Sequence, residues 1–203
     1  MRGFYRAVKR FLDVTASFLG LVLLSPLLLA VSILIKIDSR GPVIFRQTRI
    51  GRNGKVFEIY KFRSMCVGAE KTGSGVYSGK GDARVTRIGK ILRATSIDEL
   101  PQLLNIIKGD MSLVGPRPER PELARVITKN IPEFEYRLKV KAGLTGYAQV
   151  HGRYCTTSYD KLKLDLTYIR NYSIWLDLKL ILMTPKVLLM KESTDGFEEG
   201  LWE

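Results

Sequence analysis

The sequence Arg93-Ala-Thr-Ser-Ile-Asp-Glu-Leu-Pro-Gln-Leu-Leu-Asn105 sets two adjacent carboxylates, Asp98 and Glu99, just before an apolar run with helical spacing. Ser96 followed by Glu99 three residues later has the spacing of a capping box, which predicts both acids in the first turn of a helix. The start of a helix carries a partial positive charge and attracts phosphate. The stretch therefore predicts either a simple helix cap or a site for magnesium and phosphate.

A second stretch, Gly109-Asp-Met-Ser-Leu-Val-Gly-Pro-Arg-Pro118, follows that helix along the chain. Gly115 and the two prolines exclude a helix at its end and predict an extended turn that holds Arg117 rigidly. Arginine presents a planar fork of donors that suits phosphate. Arg117 is thus a candidate phosphate ligand, and a structural corner with a solvated arginine is the alternative.

Composition bounds the class of protein. The chain has 203 residues, 26% of them charged and 45% hydrophobic, which is enough for one folded domain with an appendage. Two cysteines far apart indicate neither a disulfide framework nor a zinc site, and a single histidine, His151, leaves no multi-histidine metal site. The net charge is +13, and residues 1–63 supply +9 of it, from 12 Lys and Arg against 3 Asp and Glu.

That basic region surrounds the one long apolar segment. Residues 14–35 carry no charge, and at ~1.5 Å per residue a helix of this length would cross a bilayer. Ser25-Pro26 lies at its middle, where proline removes a hydrogen bond to the Val22 carbonyl and predicts a kink. Basic residues flank both ends, and positive charge prefers the cytosolic side. A single crossing and a bent helix that re-enters the same leaflet both fit this pattern.

The other elements follow from local patterns. Residues 42–63 predict a β-hairpin, with Asn53-Gly54 as the turn. Lys61 and Arg63 end its second strand, either as a solvated basic face near anionic headgroups or as substrate contacts. Helices are predicted over residues 87–93, 121–138, 159–169 and 174–191.

Two of these helices carry more specific predictions. In the helix over residues 159–169, Tyr159, Leu162, Leu166 and Ile169 predict the core stripe, with Asp160 and Asp165 on other faces. The helix over residues 174–191 is too interrupted by charge to span a bilayer, so it lies either at the membrane interface or in the core.

Taken together, the chain resembles the bacterial sugar transferase family, in the small form of the monotopic phosphoglycosyl transferases. The resemblance covers residues 5–192 and rests on five motifs: Ser25-Pro26 after a basic N-terminus, Lys61-Phe-Arg-Ser-Met65, Thr95-Ser-Ile-Asp-Glu-Leu-Pro-Gln-Leu-Leu-Asn105, Gly109-Asp-Met-Ser-Leu-Val-Gly-Pro-Arg-Pro118 and Gly143-Leu-Thr-Gly-Tyr-Ala-Gln-Val-His-Gly-Arg153. Several long motifs in the right order are far more specific than any one of them. Members often show Asn-Gly-Arg where this chain has His151-Gly-Arg153.

The resemblance implies a fold and a location. We expect an α+β fold that is mostly helical, with a re-entrant helix-break-helix membrane anchor over residues 1–40, broken at Ser25 and Pro26. A catalytic domain over residues 41–203 then lies on the cytosolic face of the bacterial inner membrane, against anionic headgroups. It would contain a small β-hairpin or sheet and amphipathic interfacial helices, and a homodimer is allowed.

The resemblance also implies an activity. Such enzymes move a sugar 1-phosphate from a UDP-sugar to polyprenyl (undecaprenyl) phosphate and release UMP, at the first membrane step of glycan or exopolysaccharide assembly. Asp98 matches the nucleophile that forms a covalent phosphosugar intermediate, Glu99 matches its partner, and both would bind the required Mg²⁺. The substrate-binding residues would be Lys61, Arg63, Arg93, Pro116, Arg117, Pro118 and Arg153.

Two other functions are weighed against this one. A non-catalytic membrane scaffold of the same fold would keep the anchor but release no UMP. A membrane-tethered nucleic-acid binder is suggested by charge alone, and the absence of aromatic residues interleaved with the basic clusters argues against it. We therefore expect no nucleic-acid partner.

Overall fold

The computed structural model describes residues 2–69, 82–152 and 157–189. Within these ranges the fold is α+β and mostly helical, which confirms the predicted class. The helices are α1 (Arg2–Asp38), α2 (Arg87–Ala94), α3 (Gln102–Lys108), α4 (Pro121–Asn130), α5 (Tyr147–His151), α6 (Ser158–Arg170) and α7 (Ile174–Leu189). The strands are β1 (Ile44–Ile50), β2 (Val56–Phe62), β3 (Met111–Val114) and β4 (Ala142–Thr145).

Strands β1 and β2 form the predicted antiparallel hairpin, paired from Ile44 with Phe62 to Ile50 with Val56. Its turn carries Asn53 and Gly54 at φ of 57° and 76°, the left-handed region that these two residue types tolerate best. On β2, Ile59 packs into a core cluster with residues of α3. Because side chains alternate along a strand, Lys61 leaves β2 on the same side as Ile59, toward α3.

A second sheet pairs β3 with β4 in parallel, with Met111 opposite Ala142 and Val114 opposite Thr145. The backbone at Gly115, just after β3, lies very close to β4. A Cβ added at Gly143 would lie 2.1 Å from the Gly115 nitrogen. Only glycine fits there. This pairing joins segments about 30 residues apart, and local sequence patterns did not predict it. It fixes the start of the loop that carries Arg117.

Helix α1 packs lengthwise on the rest of the chain. Its buried residues lie four or fourteen positions apart, spacings that place them on one face of a helix: Lys9, Asp13, Ser17, Val31 and Ile35. The opposite face is apolar and exposed, with Phe4 and Leu23 more than three-quarters accessible. Among the described residues, α1 is the helix that is long and apolar enough to cross a membrane.

A buried polar network ties the N-terminal half of α1 to the fold. Lys9 Nζ lies 2.7 Å from an Asp177 carboxylate oxygen on α7, and the Tyr168 hydroxyl donates to the same carboxylate at 2.8 Å. Asp13 accepts from the Ser112 hydroxyl at 2.7 Å and from the Leu113 backbone N–H at 3.1 Å. Lys9 and Asp13 therefore face protein rather than the apolar exposed side.

The helix is continuous through Pro26. Proline cannot donate to the carbonyl of Val22, and the Ser25 hydroxyl donates to that oxygen instead, at 2.7 Å. The Ser-Pro pair thus satisfies the carbonyl that proline leaves unpaired, which matters most in an apolar setting. A re-entrant course of α1, and the division of the chain at residue 40, remain predictions.

Two local predictions were wrong. The single helix expected over residues 121–138 is α4 followed by a separate 3₁₀ segment, Pro132–Lys139, because Pro132 forces Ile131 out of the helical region, to φ −133° and ψ 82°. On α6, Tyr159 is exposed and Asp165 is only 1% exposed, so the buried stripe includes the carboxylate that was assigned to another face.

Helix α7 has one buried face and one exposed apolar face, and its position at a membrane interface remains a prediction. Leu180 is fully buried, in a core cluster with Val114 and Tyr168. Trp175 and Leu182 lie on the other side and are about 80% exposed. One face of α7 therefore belongs to the core and the other is available to a membrane.

Candidate active site

The adjacent carboxylates lie on a tight turn between α2 and α3. Ser96 adopts φ 55° and ψ 17°, which reverses the chain, and a 3₁₀ turn, Ile97–Glu99, follows. The Ser96 side chain makes no capping hydrogen bond, so the predicted capping box is wrong. Helix α3 begins only after Pro101, whose fixed φ suits the first turn of a helix. The two acids therefore precede α3 rather than lie within its first turn.

Glu99 is held by two cations. Lys61 Nζ lies 2.6 Å from Oε1, and the Arg117 guanidinium donates to both oxygens, at 2.6 and 3.2 Å. Burial alone would oppose ionisation of Glu99, but Arg117 and Lys61 outweigh it and bring the pKa of this carboxyl well below its usual range. Glu99 in turn raises the pKa of Arg117. Glu99, Lys61 and Arg117 thus form one ion-paired cluster.

Asp98 differs sharply from its neighbour. It is 8% exposed, and no described residue donates a hydrogen bond to its carboxylate. Burial raises its pKa to about 6, with the negative charge of Glu99 adding to the effect and Lys61, Arg117 and Arg93 opposing it. Asp98 is therefore mostly ionised at neutral pH and lacks the hydrogen bonds that would make it unreactive.

The loop after β3 brings Arg117 to this cluster. Pro116 and Pro118 flank it and line one side of a cleft of about 400 Å³, open solvent included. Its lining combines apolar residues such as Phe134 and Val140 with Arg117 itself, and it does not include Asp98 or Glu99. The Arg117 side chain is about half exposed, so a ligand in the cleft could reach it.

Asn105 is a site residue that sequence reasoning missed. It is fully buried on α3, accepts from the Tyr60 backbone N–H at 2.9 Å and donates to the Glu58 carbonyl at 2.7 Å. Its amide therefore pairs with the edge of β2 as another strand would. This bond fixes the strand that carries Lys61 against the helix that follows Asp98 and Glu99. A lone asparagine in an apolar helical run was the available signal.

The other predicted site residues have different surroundings. Arg93 lies in the last turn of α2, close enough to Asp98 to lower the pKa of that carboxyl. Arg63 is buried and donates to carbonyls at the end of α1, those of Ile35, Ser39 and Arg40. Its described contacts are thus structural, and substrate binding by Arg63 remains a prediction.

The last motif is only partly described. Arg153 lies outside the described residues. His151 ends α5, where its ring lies 4.4 Å from that of Tyr147 and where burial and Lys179 lower its pKa.

Several curated relatives align with most of the length of the chain. A UDP-N-acetylgalactosamine-undecaprenyl-phosphate N-acetylgalactosaminephosphotransferase from Aeromonas hydrophila is 44% identical over 91% of this chain and 44% of its own length. A UDP-glucose:undecaprenyl-phosphate glucose-1-phosphate transferase from Caulobacter vibrioides is 46% identical, over 91% of this chain and 71% of its own. The exopolysaccharide production protein PSS from Rhizobium leguminosarum is 41% identical, over 87% and 92% respectively.

The chain spans less than half the length of several relatives, the Aeromonas protein among them. The matched part nonetheless includes nearly everything described above. The family model for bacterial sugar transferases matches residues 4–191, from the start of α1 to beyond the end of α7. The chain therefore belongs to the bacterial sugar transferase family.

Proposed function

We propose that this chain transfers a sugar 1-phosphate from a UDP-sugar to undecaprenyl phosphate, in two steps through a covalent intermediate on Asp98, with release of UMP. The observation that carries the proposal is the contrast between the two adjacent carboxylates. Glu99 is neutralised by Lys61 and Arg117, whereas Asp98 is buried, mostly ionised and without a described hydrogen-bond donor. The names of the relatives supply the substrate class.

In the first step an oxygen of the Asp98 carboxylate bonds to the phosphorus that carries the sugar. The bond between that phosphorus and the bridging oxygen breaks, and UMP leaves with the bonding electron pair. Lys61 and Arg117 contact the neighbouring Glu99 and lower the pKa of Asp98 through their charge. They would offer positive charge to the diphosphate and so stabilise the charge that moves onto the leaving phosphate.

In the second step a phosphate oxygen of the polyprenyl phosphate attacks the same phosphorus. The bond to Asp98 breaks, and the carboxylate is restored. Splitting the transfer in this way lets the water-soluble donor and the lipid acceptor use one site in turn. The depressed pKa of Glu99 means that it does not take up the proton of an incoming group and keeps the cations in position instead.

The donor set suits Mg²⁺. Asp98 and Glu99 are the residues that would hold it, and Mg²⁺ in phosphate sites commonly takes one or two carboxylates together with substrate phosphates and water. No group of three or more His, Cys, Asp and Glu side chains comes together among residues 2–69, 82–152 and 157–189, so phosphate oxygens would complete the coordination. When bound, the ion supplies charge neutralisation to the diphosphate.

We propose that the chain is monotopic, on the cytosolic face of the inner membrane. The Tyr5 hydroxyl near one end of α1 donates to Asp177 at 3.2 Å, and Arg63 binds carbonyls at the other end. Asp177 and Arg63 both lie in the folded part of the chain that follows α1, which favours keeping both ends of α1 on one side of the membrane. The exposed apolar faces of α1 and α7 would then enter the lipid, with basic residues at the anionic headgroups.

The test is UMP release by detergent-purified protein given undecaprenyl phosphate and a panel of donors that includes UDP-glucose and UDP-N-acetylgalactosamine, with and without Mg²⁺. We expect release with at least one donor, only with Mg²⁺, and none from Asp98→Asn. Glu122→Gln, at an exposed carboxylate on α4, is the control and should match the wild type. Normal turnover by Asp98→Asn would overturn the assignment, and no release with any donor would favour the scaffold.

A further inference from the structure

The loop Pro116–Pro118 is fixed almost entirely through its carbonyl oxygens. Prolines at both ends have no N–H, so the backbone offers few donors with which to hold the loop. The Pro116 carbonyl accepts from the Gly143 N–H at 2.9 Å, and that of Glu119, the next residue, accepts from the Ile50 N–H at 3.0 Å. The two carbonyls between them, at Arg117 and Pro118, accept from arginine side chains.

Those side chains are Arg137 and Arg49. Arg137 donates to the Arg117 carbonyl at 3.1 Å, and Arg49 donates to the Pro118 carbonyl at 3.0 Å. Every carbonyl from Pro116 to Glu119 thus has a donor, and the two nearest the Arg117 side chain depend on guanidinium groups. The Arg49 guanidinium lies in surroundings that disfavour its charge: burial and the nearby charge of Arg117 lower its pKa to about 10.

The Arg137 side chain is held by an ion pair with Asp165 on α6. It is 4% exposed, and its guanidinium contacts the Asp165 carboxylate at 2.7 and 3.0 Å and Glu119 at 3.4 Å. Asp165 is 1% exposed. A buried ion pair is weak evidence for stability, because well-packed apolar side chains of similar size often stabilise as well. An apolar residue could fill this space, but it could not donate to the Arg117 carbonyl.

We propose that Arg137, held by Asp165 and assisted by Arg49, is a positioning residue for Arg117: it sets the backbone from which the Arg117 guanidinium reaches Glu99 and the donor diphosphate. The inference rests on the proposed function and extends it to residues that contact no reacting atom. Lysine at position 137 would keep the charge beside Asp165 but lose the planar fork that joins three acceptors. Arg117 would then be less well oriented, and small displacements at a reacting centre cost large factors in rate.

A double-mutant cycle between positions 137 and 117 tests the proposal. Arg137→Lys should lower kcat/KM for UMP release about tenfold in the wild-type background. In the Arg117→Ala background the same change should lower it less than about twofold, because residues that act through one another are not additive. Arg170→Lys, at an exposed arginine on α6, is the control and should change neither rate.

A purely structural role predicts something else. Arg137→Lys would then lower Tm and reduce the rate by the same factor in both backgrounds, which would overturn the proposal. The same cycle with Arg49→Lys keeps the test decisive if Arg137→Lys does not fold, since coupling to Arg117 is expected there too and additivity would again contradict it. If Arg117→Ala alone leaves the rate unchanged, the role of Arg117 in the proposed function fails as well.

Discussion

Glu99 Oε1 lies 2.6 Å from Lys61 Nζ, although 38 residues separate them. The strand β2 brings the lysine and the turn before α3 brings the glutamate, so the contact depends on how these two elements pack. The Asn105 amide, which pairs α3 with β2, sets that packing. The charge balance of the site thus follows from the register between one strand and one helix.

Replacement of Lys61 should therefore impair the chemistry. Lys61→Met removes one of the two cations on Glu99, and we expect kcat/KM for UMP release to fall about a hundredfold, as when one donor to developing charge is lost. Lys61→Arg should retain part of the activity. Lys55→Met, at an exposed lysine of the same hairpin, is the control. A rate for Lys61→Met equal to that of the control would remove Lys61 from the site.

The first chemical step should depend on the ionisation of Asp98. Because the pKa of Asp98 is raised to about 6, the rate should fall about tenfold per pH unit below pH 6 and level off above it. The measurement is single-turnover UMP release without lipid acceptor, since the second pKa of a phosphate monoester is also about 6 and would obscure the result. A profile that stays flat down to pH 4.5 would show that the pKa of Asp98 is not raised in the complex with donor and Mg²⁺.

The ionised carboxylate of Asp98 should also lower the free energy of unfolding at neutral pH. Its pKa is higher in the folded chain than in the unfolded one, so its contribution favours folding below pH 4 and is lost as pH rises through 6. Asp98→Asn should then be more stable than the wild type by about 3 kcal/mol at pH 7.5, with little difference at pH 3.5. Thermal unfolding at the two pH values tests this, and a less stable Asp98→Asn at pH 7.5 would show that burial does not dominate.

Loss of the Asn105 amide should destabilise the fold. Asn105→Leu leaves the Tyr60 N–H and the Glu58 carbonyl buried without partners, which we expect to cost about 2 kcal/mol or more in the free energy of unfolding. Asn130→Leu at the exposed end of α4 is the control for chemical denaturation. Equal stability of the two variants would mean that water replaces the amide.

The sequence predicted the elements that depend on local chemistry. Asn53-Gly54 identified the hairpin turn, and helical spacing identified α2 and α3. The errors arose where a neighbouring residue or a distant segment decides the conformation. Ser96 adopts a left-handed backbone and cannot cap, and Pro132 divides the helix expected over residues 121–138.

The site was predicted in part for the same reason. Adjacent acids and a proline-flanked arginine are visible in the chain, and the structure brings Asp98, Glu99, Lys61 and Arg117 together. The parallel pairing of β3 with β4 and the burial of Asp165 against Arg137 depend on contacts between remote segments. The spacing of residues within one segment predicts neither contact.

The central claim is a covalent bond between Asp98 and the phosphosugar, and mass spectrometry of the protein and of its proteolytic peptides measures it directly. Protein incubated with Mg²⁺ and an accepted UDP-sugar, without polyprenyl phosphate, should gain the mass of one sugar phosphate on the peptide that contains Asp98 and release one equivalent of UMP. Asp98→Asn should gain nothing. UMP release that requires the lipid acceptor, with no adduct on Asp98, would contradict the account.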